Sequence, residues 1–254
     1  MLNIETIPCL NDNYSYIIHD SETNLVGVID PSEFKPIDTF LSKKYNKLDY
    51  IMNTHHHFDH VGGNVELKLK YKSKIVGSKI DQNKIPGIDV LVNDNDDFNF
   101  GAIKFKIIFV PGHTNGHISF YSNVKNVIFT GDVLFSLGCG RIFEGTYQDM
   151  FNSLNKIKKL PKETKIYFGH EYTKNNFNFC FKYEKKNKHL KSKLDWINQR
   201  LKEGLPTSPA LLEEELKTNI FLRSENLDIK KDLKMKESSD ELVFAKLRNL
   251  KDNF

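Results

Sequence analysis

Four times along this chain of 254 residues a short β-branched or aromatic run breaks off at a residue able to ligate a metal. Tyr50-Ile51-Met52 leads into Thr54-His55-His56-His57-Phe58-Asp59-His60, and residues 105–110 run into Pro111-Gly112-His113. Residues 127–130 run into Gly131-Asp132 and residues 165–168 into Gly169-His170. Side chains just past several strand ends meet at one sheet edge in a layered α/β domain, where loops hold them on a rigid scaffold. One such junction is ordinarily a turn without chemistry. Four that share one ligand chemistry predict a metal site on mixed sheets with covering helices.

The donors are His55, His57, Asp59, His60, His113, Asp132 and His170, five imidazoles and two carboxylates. They are too many for one tetrahedral ion. Two ions absorb them if one takes His55, His57 and His113, the other takes Asp59, His60 and His170, and Asp132 bridges. Each ion then keeps a position open for a shared water, as catalytic sites require. Nitrogen and oxygen donors without a thiolate suit zinc, with iron or manganese as alternatives.

The pattern Thr-His-x-His-x-Asp-His, with a later His, an Asp and a final His, resembles the metallo-β-lactamase superfamily. Three further segments narrow the resemblance to glyoxalase II, the hydroxyacylglutathione hydrolases: residues 129–132 followed by 138–146, residues 169–173, and Leu247-Arg248-Asn249-Leu250-Lys251-Asp252-Asn253-Phe254. The resemblance implies an αββα sandwich over residues 1–170, an α+β fold, with a helical glutathione-binding domain over 171–254. It implies two divalent ions per chain and hydrolysis of S-lactoylglutathione to lactate and glutathione, the second step of methylglyoxal detoxification. The expected nucleophile is hydroxide shared between the ions, with Asp59 and Asp132 as the catalytic carboxylates. By the same resemblance Arg141, Phe143, Tyr172, Arg248 and Lys251 bind the substrate. Arg141 stands where other members have Lys, and Phe143 where some have Tyr, which removes a hydroxyl. A persulfide dioxygenase or another hydrolase of the same fold is the nearest alternative.

Charge agrees with an anionic ligand in the C-terminal region. Residues 171–254 hold 18 Lys and Arg against 14 Asp and Glu, whereas residues 1–170 hold 19 of each. The neutral N-terminal region lacks the basic track with exposed aromatics of a single-strand nuclease, so no nucleic-acid partner is expected. Three scattered cysteines, Cys9, Cys139 and Cys180, suit reduced thiols rather than a disulfide framework. The N-terminus lacks a basic-then-apolar signal and no apolar run approaches a membrane span. A cytoplasmic monomer is expected.

Helices are predicted over residues 36–45, 61–71 and 148–160. A stripe of Leu190, Leu194, Ile197 and Leu201 predicts another, ending at Gly204-Leu205-Pro206. Ser208-Pro209 reads as the N-cap and first turn of a short helix. Ser238 to Glu241 reads as a capping box opening a helix on which Arg248 and Lys251 share a face.

Overall fold

The computed structural model describes all 254 residues, in two compact units. The first comprises residues 1–109, 115–131 and 167–170, and the second residues 110–114, 132–166 and 171–254.

The first unit contains a six-stranded sheet in simple chain order: β1 (Leu2–Cys9), β2 (Asn13–Asp20), β3 (Leu25–Ile29), β4 (Tyr50–Met52), β5 (Lys74–Ser78) and β6 (Val90–Val92). β1 to β3 form an antiparallel meander, and β3 to β6 run parallel. The parallel crossovers carry helices α1 (Phe34–Lys44), α2 (Phe58–Val61) and α3 (Asn64–Tyr71), as parallel pairing demands. Ile37 and Leu41 of α1 and Leu67 of α3 join Ile17, Val28, Ile51 and Ile75 in one core cluster. A second, antiparallel run follows: β7 (Asp97–Phe100), β8 (Ile103–Phe109), β9 (Ile118–Ser122) and β10 (Val127–Gly131), with Tyr167 and Phe168 beyond β10. The sheets meet face to face through aromatic rings. Tyr16 lies 5.6 Å from Phe129 and 5.2 Å from Tyr167, and its hydroxyl donates to Phe168 O at 2.6 Å. Such pairs add about 0.5–1.5 kcal/mol each beyond the area they bury.

The continuous helix expected over 61–71 is interrupted. Cβ atoms on Gly62 and Gly63 would meet Ser32 O at 2.4 Å and Pro31 O at 3.1 Å, so the α1 entry loop packs onto bare glycine backbone, and the glycine pair, poor in helix propensity, marks the break. Asp59 and His60 consequently sit on the separate turn α2.

The second unit is mainly helical: α4 (Tyr147–Lys158), α5 (Thr173–Tyr183), α6 (Lys188–Lys202), α7 (Leu212–Thr218), α8 (Leu227–Asp232) and α9 (Asp240–Asp252). Thr146 and Asp149 form a reciprocal capping box on α4. Phe151 of α4 meets Phe244 of α9 at 5.8 Å. Two expected helix starts are corrected. Residues after Ser208-Pro209 do not enter a helix: Ala210 and Leu211 pair antiparallel with Ile166 and Lys165, and α7 starts at Leu212, because the ladder claims the intervening backbone. The α9 cap is Ser239, whose Oγ accepts from Leu242 N. With Leu242 at the third position no carboxylate returns the bond, so the box expected from Ser238 does not form.

Candidate metal centre

In the first unit the donors are aimed by the end of β4 and by residues 167–170. Past β4 the chain is pinned by Asp30, whose carboxylate accepts from Thr54 N at 2.7 Å and Thr54 Oγ1 at 2.6 Å. Asn53 Nδ2 donates to His60 O at 3.0 Å, closing the loop. His170 is fixed by pairing of its neighbour: Tyr14 N donates to Gly169 O at 2.8 Å, and Gly169 N to Gly131 O at 2.9 Å. Gly131 has φ +49°, and a Cβ there would lie 2.3 Å from Thr54 Oγ1. Only glycine allows these two loops to approach so closely.

Three donors converge. His60 Nε2 lies 3.3 Å from His170 Nε2, and Asp59 Oδ2 lies 3.6 Å from the first and 3.3 Å from the second. Ligands roughly 2.0–2.2 Å from one tetrahedral ion stand about 3.3–3.6 Å apart. The triangle therefore fits a divalent cation. His55 Nε2 and His57 Nδ1 stand 3.2 Å apart and offer a second pair of donors at nearly this spacing.

In three of these rings the other nitrogen is held as metal-site histidines require. His60 Nδ1 is 3.1 Å from Asp30 Oδ2, His170 Nδ1 is 2.9 Å from Asp12 Oδ1, and His55 Nδ1 is 3.0 Å from Thr54 Oγ1. Asn13 Nδ2 donates to Asp59 Oδ2 at 3.0 Å. Sequence reasoning misses Asp12, Asn13 and Asp30. Asp30 carries a signal, since it ends a strand immediately before Pro31, but a lone Asp there reads as a turn residue.

In the second unit His113 Nε2 lies 3.5 Å from Asp132 Oδ2, both residues buried. His113 Nδ1 contacts Arg141 O at 2.7 Å, and the Phe143 ring packs on the imidazole at 5.2 Å. Gly140 lies so close to Asp132 O that a Cβ would approach it to 1.8 Å. These residues open into a cavity of about 460 Å³, also lined by Tyr172, Arg248, Lys251 and Asp252. All five residues assigned to substrate by resemblance thus line one cavity. Arg248 is buried: its Nη1 donates to Cys139 O at 2.7 Å and its Nη2 to Asp252 Oδ1 at 2.9 Å. Lys251 bonds to Asn175 and lies 5.6 Å above the Phe179 ring. Burial, then the neighbouring Arg248, lowers its pKa to about 8. Burial pushes the Cys139 thiol up, in keeping with a packing role.

Comparison with known proteins adds the family. Residues 10–170 match the metallo-beta-lactamase superfamily model and residues 171–254 match the model described as hydroxyacylglutathione hydrolase C-terminus. A hydroxyacylglutathione hydrolase of Pelagibacter ubique is 52% identical over 253 residues, covering 100% of both chains. One from Brucella anthropi is 43% identical, covering 100% of this chain and 97% of the other. Among solved structures, ETHE1 from Myxococcus xanthus has a TM-score of 0.69 at 23% identity, covering 98% of this chain and 91% of that one. The BLEG-1 B3 metallo-beta-lactamase has a TM-score of 0.68 at 20% identity, covering 87% and 99%. These two likenesses bear on the fold.

Proposed function

Because the chain belongs to the hydroxyacylglutathione hydrolase family of metallo-β-lactamase-fold enzymes, we propose that it hydrolyses S-lactoylglutathione to lactate and glutathione with two divalent ions, zinc the leading candidate. The observation that carries this reading is the cavity shared by Arg141, Phe143, Tyr172, Arg248 and Lys251, mostly within or beside the segment matching the hydroxyacylglutathione hydrolase C-terminus.

In this reading Asp59, His60 and His170 would hold one ion and His55, His57 and His113 the other, with Asp132 as a further donor. Bound ions would supply Lewis acidity, lowering the pKa of water and offsetting negative charge on a carbonyl oxygen. The protein's own groups do the rest. Asp30 and Asp12 keep the Nε2 atoms of His60 and His170 unprotonated and facing inward by taking the opposite ring N–H. Asn13 fixes the Asp59 carboxylate, leaving it to orient the attacking water. Water adds to the thioester carbon, the C–S bond breaks, and the thiol leaves as thiolate, for which a cysteine-like pKa near 8.5 makes a strong general acid dispensable. Arg141 and Lys251 supply cations to the glutathione carboxylates, and Tyr172 an aromatic wall. Residues 1–170 act as the catalytic domain and 171–254 as the substrate-binding domain, with methylglyoxal detoxification in the cytoplasm as the setting.

The test is loss of thioester absorbance of S-lactoylglutathione with the purified protein, with and without chelator, beside metal analysis. Chelator-sensitive hydrolysis with about two ions per chain is expected. Oxygen consumption with a persulfide and no hydrolysis would overturn the reading.

A further inference from the structure

Asp81 is a fully buried carboxylate that the chemistry above does not use. It closes the 3-10 turn Lys79–Asp81 after β5 and faces two cationic or titratable side chains, His56 Nδ1 at 3.0 Å and Lys84 Nζ at 4.0 Å. Its third neighbour is bare backbone: a Cβ on Gly116 would lie 2.3 Å from both Asp81 Cγ and Oδ1 and 2.5 Å from Oδ2. A buried carboxylate costs several kcal/mol in desolvation, so a position that retains one calls for a reason.

The residues it touches supply that reason. His56 stands between His55 and His57 in the chain; its ring meets the His57 ring edge-on at 5.2 Å while its Nδ1 faces Asp81. Gly116 precedes His117, whose ring stacks on His55 at 4.6 Å and 15°. Asp81 therefore sits under two loops that converge on one ligand, one through His56 and one through Gly116 and His117. We propose that Asp81 is a positioning residue, a wedge that sets the spacing of the His55 and His57 donors through His56. The inference rests on reading His55 and His57 as ligands. It predicts that removing the carboxylate loosens the ion while the protein stays folded, because residues beyond the ligands typically govern metal affinity about ten- to hundred-fold.

The experiment is a zinc titration against a chromophoric chelator with metal-stripped wild type, Asp81→Asn, His56→Gln and the double variant, each checked for a native melting transition. Zinc affinity should fall about ten-fold in each single variant, and the double variant should lose no more than either, since one strut is removed in all three. Unchanged affinity in the folded single variants, or losses that add in the double variant, would overturn the proposal. If Asp81→Asn does not fold, His56→Gln alone decides: unchanged affinity overturns the wedge, a ten-fold loss supports it. Wild type that takes up no zinc would refute the ligand assignment instead, which is a separate outcome.

Discussion

Arg248 and Asp252 form an ion pair one helical turn apart, and the same Asp252 Oδ1 lies 3.2 Å from Arg141 Nε. One carboxylate oxygen thus joins two guanidinium groups of the proposed substrate cavity. Arg141 is more than half exposed and would otherwise sample many rotamers. Asp252→Asn should raise KM for a glutathione thioester about five-fold, the equivalent of about 1 kcal/mol for a partly solvated charged pair, with kcat nearly unchanged. Steady-state kinetics separate the two constants.

Lys251 loses its proton near pH 8 because burial and Arg248 disfavour its charge. KM should therefore rise as pH passes upward through about 8, and Lys251→Met should raise KM at pH 7 and flatten that dependence. Fold stability moves the opposite way. With the folded pKa below the unfolded value, the unfolded chain binds more protons between about 8 and 10.4, so this residue makes stability increase with pH there. Measuring KM and chemical denaturation across pH 7–10 checks both signs.

Asp30→Ala should be among the most damaging single changes outside the ligands. It strands Thr54 N, Thr54 Oγ1 and the Nδ1 of His60, and each buried group left without a partner costs about 1–3 kcal/mol. We expect a stability loss of about 3 kcal/mol or more by denaturant titration, together with weakened metal retention. Asp12→Asn, at a far more exposed carboxylate, should weaken metal retention with little change in stability.

Gly131→Ala should disturb metal binding without altering any donor. The added methyl meets Thr54 Oγ1 at 2.3 Å in a left-handed backbone conformation, pushing apart the loops that carry His55 and His170. Loss of bound metal with all ligands intact is the expected result of metal analysis on the purified variant.

The candidate donors stand out in the sequence because they combine rare residue types with strand-end placement, and Asp59, His60 and His170 do converge. Their supports do not, because Asp12, Asn13 and Asp30 are ordinary residues of a turn or a strand end whose meaning comes from partners as much as 158 positions away. Local signals fail where tertiary contacts override them. Gly62-Gly63, whose missing side chains let residues 31–33 pack onto the backbone, interrupts a helix, and Ala210-Leu211 becomes a strand because Lys165 and Ile166 offer a free edge. Arg248 and Lys251 do line one cavity, but burial and Asp252 give them different duties, which helical spacing alone does not encode.

The facing nitrogens of His60 and His170 are 110 residues apart in the chain, whereas His55, His57, Asp59 and His60 are close neighbours even in an unstructured polypeptide. If these donors hold the ion, a nascent or denatured chain already offers a four-donor stretch that would compete for it, and the remote histidine would add its grip only after long-range strand pairing. Because an ion that also binds the unfolded state stabilises the native one by less than its native affinity implies, metal should protect this protein against heat less than it tightens the finished site. Its larger kinetic effect should fall on unfolding, which must first separate ligands that the chain holds together only across that distance.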